Sequence, residues 1–324
     1  QLSPLAPMVL CLKARKSRTL PGFIYPSYNL MKNILVVTGG AGFIGSNLIT
    51  GLLKFKKFHI LSIDNYSSGF IKNHIKNKRI KYLKGSTKNI ENLLRGYVGK
   101  IHSIFHFGEF ARIYQSFKRI DECFSSNIEG SSNVFNFALK NKIKLIYSAS
   151  SASLGDHGKD MNLSPYAFTK AKNLELLENL KKWFNFKCEI IYFYNVYGPR
   201  QICKGDMATV IGIFEEHFKN NKLLPVVKPG TQTRKFTYIK DTIDACLFAW
   251  RENANKHYSI LSQETYSILE LAKLFHSKIK YLPPRKGERF SSASTRINLN
   301  NKIIRLRAKT KLQDYIRDFL IKIH

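Results

Sequence analysis

Three glycines at fixed spacing, Gly39-x-x-Gly42-x-x-Gly45, constrain this chain more than any other feature. They follow at once on an apolar, β-branched run at 33–38, and residues 46–53 continue with helical apolar spacing. Strand, glycine turn and helix in that order put free backbone N–H groups and the positive end of a helix dipole at a turn that only glycine makes so tight. The next apolar run, 58–63, ends at Asp64, 19 positions after Gly45. That is the spacing of a carboxylate that accepts from both ribose hydroxyls of a bound dinucleotide. Such a carboxylate repels a 2′-phosphate, which favours NAD over NADP.

Further strand-like runs lie at 80–83, 101–107, 143–148 and 188–194, and helical patterns at 90–98, 128–140 and 166–184 fall between them. The alternation predicts an α/β chain with a Rossmann-type doubly wound parallel sheet. Beyond Asn195 the loops lengthen, punctuated by Pro199, Pro225, Pro229, Pro283 and Pro284, with helices expected at 208–220, 239–250, 268–275 and 311–321. This half reads as a smaller C-terminal α+β substrate-binding region. The boundaries follow as 31–195 for the NAD-binding domain and 196–324 for the substrate region, with part of 234–257 returning to the first. Residues 1–30 place their apolar stretch before their cations, the reverse of a secretory signal. They are read as a non-native or disordered extension ahead of Met31.

With 44% apolar and 23% charged residues, the 324-residue chain has a globular composition, and no apolar run reaches the ~18 residues of a membrane helix. Its 53 Lys+Arg against 22 Asp+Glu give a net charge of +31. The cations are spread along the chain, densest at 72–88, which reads as a solvated basic face; no nucleic acid is expected as partner. The cysteines, Cys11, Cys123, Cys188, Cys203 and Cys246, show no CxxC spacing, so free thiols, no metal site and a cytoplasmic setting are expected.

A second constellation is Tyr166-Ala167-Phe168-Thr169-Lys170, opening a helix after Ser164-Pro165. Tyr and Lys at i and i+4 share a helix face, and the ammonium favours the phenolate form. Ser150 lies just past the end of the fifth strand, where a doubly wound sheet faces its cofactor crevice. Ser, Tyr and Lys beside a nicotinamide make a proton relay for hydride transfer.

TGGAGFIG (38–45), DNYSSG (64–69), SSASLG (150–155), SPYAFTK (164–170), YNVYGPRQ (194–201) and TRKFTYIKD (233–241) together resemble the extended short-chain dehydrogenase/reductase family. Within it they resemble the NAD-dependent nucleotide-sugar epimerases and dehydratases, and the resemblance spans about 31–324. It implies that Gly39, Gly42, Phe43, Ile44 and Gly45 hold the NAD pyrophosphate, and Asp64 and Asn65 the adenosine ribose. Phe107 and Gly108 would line the cofactor crevice, with Asn127 beneath the nicotinamide side. Ser150 would hold the sugar hydroxyl, Tyr166 would be the base, and Lys170 would bind the nicotinamide ribose. Asn195, Arg234 and Arg285 would contact the substrate phosphates, with Ser151 also on the substrate side. A homodimer is implied, through 116–126 and 171–184.

Departures from the family pattern bear on substrate and reaction. Gly85-Ser86 stands where relatives carry Gly-Asp, leaving the Ser86 hydroxyl for the adenine. His106-Phe107-Gly108-Glu109 replaces His-Leu-Ala-Ala and puts a carboxylate, read as a substrate contact, near the site. Ser153-Leu154-Gly155 replaces Val-Tyr-Gly. Dehydratase relatives carry Asp-Glu after the catalytic Ser/Thr, and decarboxylating relatives keep a Glu there; this chain has Ser151-Ala152. The resemblance then implies epimerisation of a nucleotide-diphosphate sugar, at C4, through a transient keto sugar. The alternative is a 4,6-dehydratase or decarboxylase. Ser291 and Ser292 would leave room for a C2 N-acetyl group.

Overall fold

The apolar run that precedes the glycine turn is β1 (Ile34–Thr38), and all five of its residues are buried. In a computed structural model that describes residues 32–154, 162–287 and 303–323, β1 leads through the turn into α1 (Phe43–Leu52) and then β2 (His59–Asp64). The segment 1–30, Gly155, Ser291 and Ser292 lie outside the described residues.

The chain continues through β3 (Ile80–Lys84), α2 (Ile90–Leu94), β4 (Ile101–His106), α3 (Ile113–Lys118), α4 (Ile120–Phe124), α5 (Ser131–Lys140), β5 (Lys144–Ser150), α6 (Pro165–Phe184) and β6 (Cys188–Phe193). The second half holds β7 (Val196–Tyr197), α7 (Val210–Lys219), β8 (Leu224–Val227), β9 (Thr233–Arg234), β10 (Thr237–Tyr238), α8 (Ile239–Glu252) and β11 (His257–Leu261). It ends with β12 (Tyr266–Ser267), α9 (Ile268–Lys273), β13 (Ile279–Leu282), β14 (Ile303–Arg307) and α10 (Leu312–Ile321).

Eight strands form one sheet in the order β14-β11-β6-β5-β4-β1-β2-β3, each pair parallel. Strand order reverses between β1 and β4, which opens a crevice at the C-terminal ends of those strands. One apolar layer packs Val134, Phe135, Leu177 and Leu180 of α5 and α6 on one sheet face. A second packs Leu48, Ile49, Ile243 and Trp250 of α1 and α8 on the other. A separate cluster of Phe214, Val226, Leu271, Phe275 and Ile316 holds α7, β8, α9 and α10 together. Among the described residues no helix is long and apolar enough to cross a membrane.

Several boundaries differ from the sequence pattern for local reasons. The pattern at 90–98 gives α2 only to Leu94, and 3₁₀ turns over Arg95–Lys100 follow, where Gly96 and Gly99 weaken an α-helix. The pattern at 128–140 gives a π turn over Ser125–Gly130 before α5. There a Cβ on Gly130 would lie 2.3 Å from Thr87 Oγ1, so the backbone passes close to its neighbour. The sequence reading assigned no strands beyond Asn195, yet β11 extends the main sheet beside β6, and β14 beside β11.

Candidate active site

The glycine turn is held by its surroundings. Gly39 has φ +71°, and a Cβ there would lie 2.8 Å from the Phe107 carbonyl carbon and oxygen. A Cβ on Gly45 would lie 2.1 Å from Gly39 O. Gly42 caps α1 with no side-chain bond, so the first-turn N–H groups keep no side-chain acceptor and face the crevice as anion donors. Asp64, 8% exposed, accepts from Ala41 N–H at Oδ2 (2.9 Å) and from Tyr66 N–H at Oδ1 (2.8 Å). Burial pushes its carboxyl up, and these N–H groups pull it back. A carboxylate has about four acceptor positions, so room remains on Asp64 for a ribose hydroxyl.

A cavity of about 200 Å³ brings Gly39, Gly42, Asp64, Asn65, Ser86 and Gly108 together. Asn65 Oδ1 accepts from Ser67 N–H, and Ser86 Oγ from Lys88 N–H. Acceptors for a ribose, an uncapped helix end and a Cβ-free approach fit the adenosine and pyrophosphate half of NAD.

A second cavity, about 420 Å³, lies beside the first, and Glu109 borders both. Ser150, Ser151, Tyr166 and Lys170 line it, together with Phe43, Ile44 and Phe107. Asn195, Arg234 and Arg285 line it too. Ser164 caps α6 by accepting from Ala167 N–H, with Pro165 at its first turn, and this fixes where Tyr166 and Lys170 project. Ser150 Oγ accepts from Ala152 N–H at 3.1 Å and keeps its proton to donate. Asn195, at φ 27°, donates to Lys235 O, and the Arg285 guanidinium rests 5.3 Å from the Tyr114 ring.

Three sequence-derived site residues sit differently from the rest. Gly45 and Asn127 border neither cavity. Asn127 is fully buried and spends its amide on Phe110 N–H, Phe110 O and Thr169 Oγ1, so it braces the site from within. Glu109, read from sequence as a substrate contact, borders both cavities, but its side chain is only 2% exposed and both its oxygens accept from protein donors. It pairs with Lys170 Nζ and accepts from Ser131 Oγ (3.0 Å), Tyr147 OH (3.1 Å) and Asn173 Nδ2 (3.1 Å). Burial, with Glu109 alongside, pushes the Tyr147 phenol well up, so it stays a donor.

Residues that sequence reasoning missed complete this network. Thr38 Oγ1 contacts His106 Nδ1 at 2.8 Å, and His106 Nε2 contacts Ser131 Oγ at 2.9 Å. Nothing local in the sequence links these three. Asn173 was findable, because it lies three positions after Lys170 on the same helix face. Arg112 was missed too; it borders the larger cavity and grips Met207 O through Nε (2.8 Å) and Nη2 (2.5 Å).

A parallel sheet reversed at β1/β4, a glycine turn answered by Asp64, and Tyr166 and Lys170 at the cavity wall define a dinucleotide-dependent protein of the short-chain dehydrogenase/reductase type. The chain belongs to the NAD dependent epimerase/dehydratase family, whose model matches residues 35–261, and NAD is its cofactor. Among curated relatives, it is 28% identical to a UDP-N-acetyl-alpha-D-glucosaminuronate decarboxylase of Bacillus cytotoxicus, over 79% of this chain and 85% of that one. It is 30% identical to an ADP-L-glycero-D-manno-heptose-6-epimerase of Brachyspira hyodysenteriae, over 74% and 79%. Among solved structures, it resembles the UDP-glucose 4-epimerase of Thermotoga maritima with UDP-glucose (TM-score 0.78, 25% identity, 89% of this chain and 99% of that one). It also resembles the UDP-N-acetylglucosamine 4-epimerase of Methanobrevibacter ruminantium in complex with UDP-N-acetylmuramic acid (TM-score 0.76, 26% identity, 90% and 97%).

Proposed function

We propose that this protein is an NAD-dependent epimerase of a nucleotide-diphosphate sugar, of the UDP-glucose or UDP-N-acetylglucosamine type, acting at C4 through a transient 4-keto sugar. The observation that carries this reading is the shortage of acid groups at the reaction cavity. Among its described lining residues Glu109 is the sole carboxylate, and it is ion-paired to Lys170 through Oε2 while Tyr147, Ser131 and Asn173 donate to Oε1. Dehydration needs a free acid and base beside the keto sugar. Without them, the simplest outcome is return of the hydride to the other face.

NAD, held at Gly39, Gly42 and Asp64, would supply a reversible hydride acceptor for the sugar carbon. Ser150 donates to the sugar hydroxyl and orients it. Tyr166 takes that hydroxyl's proton as hydride leaves and returns it after the keto sugar has turned. Lys170 supplies the ammonium beside both. Arg234 and Arg285 bind the diphosphate, where guanidinium forks match phosphate oxygens. Phe107 and Phe193, whose rings meet edge-on at 5.6 Å, add apolar wall to the same cavity.

The protein incubated with NAD and a panel of UDP-, TDP- and GDP-sugars tests this by mass spectrometry and proton NMR. A new sugar signal at unchanged mass is the expected result. Loss of water or carbon dioxide would establish the dehydratase or decarboxylase alternative. The exposed apolar side chains of Phe117, Ile120 and Phe124 on α3 and α4, and of Trp183 and Phe184 ending α6, support a homodimer. A monomeric mass in light scattering would refute it.

A further inference from the structure

We infer that Glu109 is a positioning residue for the Tyr166–Lys170 pair: it anchors the Lys170 ammonium and balances its charge inside the protein. This rests on the catalytic reading of Tyr166 and Lys170 given above.

Glu109 follows β4 in the turn between the two cavities. The side chains of Glu109 and Lys170 are 2% and 5% exposed, so neither charge leans on water. A carboxylate offers about four acceptor positions. Glu109 receives four donors, from Lys170, Ser131, Tyr147 and Asn173. Ser131, Tyr147 and Asn173 converge on Oε1 and Lys170 takes Oε2, which fixes the carboxylate from β5, α5 and α6 at once.

The direction of the bonds behind it is also fixed. Thr38 Oγ1 accepts from the N–H groups of Phe107 (3.1 Å) and Gly108 (3.0 Å), so its own proton goes to His106 Nδ1. His106 Nε2–H must then donate to Ser131 Oγ, which leaves the Ser131 proton for Glu109 Oε1. Burial keeps His106 neutral, as this tautomer requires, with its pKa lowered to about 4. The result is a one-way row of donors from the residue before the glycine turn to the carboxylate.

The consequence falls on Lys170. An ammonium has three N–H donors. One goes to Glu109 and one to Ser148 O at 2.6 Å; the third has only Tyr147 OH, at a long 3.4 Å. Two firm anchors aim the third donor, and that donor is the one available to a cofactor hydroxyl. Without Glu109, Lys170 would keep one firm anchor and a full uncompensated charge beside Tyr166. The other titratable groups around the pair are His106 on β4, Cys123 on α4, Tyr147 on β5 and Arg112 before α3. Burial pushes Cys123 and Tyr147 up and holds His106 down, so none of these three titrates near neutrality. Burial lowers Arg112 from its high ordinary value.

The test is Glu109→Gln in the full chain, which keeps the shape and removes the charge. Turnover, NAD affinity and the proton–nitrogen NMR signal of the Lys170 ammonium, assigned with Lys170→Arg, are measured against wild type. The expected result is a folded variant with NAD affinity within about threefold and KM little changed. Its kcat falls at least tenfold, its acid limb of kcat moves to lower pH, and its slow-exchanging Lys170 signal is lost. Ser131→Ala, which removes one donor and leaves the ion pair, is expected to lose much less. A folded Glu109→Gln variant with wild-type kcat and an unmoved acid limb would overturn the inference. If the wild type turns over no sugar in the panel, the epimerase reading fails and the NMR arm still decides: an unchanged Lys170 signal overturns the positioning role, and its loss supports it.

Discussion

The backbone N–H of Ala41 donates to Asp64 Oδ2 at 2.9 Å, which joins the glycine turn after β1 to the acid ending β2. Asp64→Ala therefore removes the ribose acceptor and leaves the N–H groups of Ala41 and Tyr66 without theirs. Hydrogen bonds to a charged group contribute ~1.5–3 kcal/mol, so NAD affinity should fall by roughly tenfold to a hundredfold. Calorimetric titration with NAD measures the loss, and a thermal melt should show a lower Tm without any ligand.

Gly39→Ala should damage fold and cofactor site together. Its φ of +71° is unfavourable for alanine, and the new Cβ would meet the Phe107 carbonyl at 2.8 Å. The obstacle is backbone, which cannot rotate away. A cost of ~1–3 kcal/mol is expected from the dihedral alone. Denaturant melts should show the destabilisation, and NAD binding should be lost at concentrations that saturate wild type.

His106 gives stability a pH dependence with a definite sign. Its folded pKa, held down to about 4 by burial against the pull of Glu109, lies below the ordinary 6.5 of the unfolded chain. The unfolded state thus binds more protons between those values, so stability is full above 6.5 and drains away as pH falls toward 4. The shift corresponds to up to ~3 kcal/mol. His106→Asn, which has no proton to gain there, should be less stable at pH 7 yet show a flatter Tm between pH 6.5 and 4. Equal slopes in calorimetry would show that His106 is not the group responsible.

Much of the molecule was readable from short stretches of chain. The β1–turn–α1–β2 unit is set by adjacent chemistry: an apolar strand, glycines where a Cβ would collide, and an acid one strand later. The start of α6 is likewise local, with Ser164 and Pro165 fixing the helix that presents Tyr166 and Lys170. What escaped depends on distant partners. α3 and α4 are short helices of six and five residues, too short for periodicity to show. β11 is recognisable only beside β6, more than sixty residues earlier. Glu109 was visible as an odd residue near the site. Its role was not, because Ser131, Tyr147, Lys170 and Asn173 reach it from 22 to 64 positions away.

The most direct test of the epimerase reading follows the hydrogen at C4. A nucleotide-sugar deuterated at C4, taken from whichever panel member turns over, is incubated with the protein and NAD, with Tyr166→Phe in parallel. Hydride return to the same sugar should give the C4 epimer at unchanged mass, still carrying deuterium at C4, with no net formation of reduced cofactor. The Tyr166→Phe protein should be slower by a factor of roughly 10²–10⁴, the usual contribution of a positioned acid–base group. A product that has lost water or carbon dioxide, or deuterium that migrates away from C4, would contradict it.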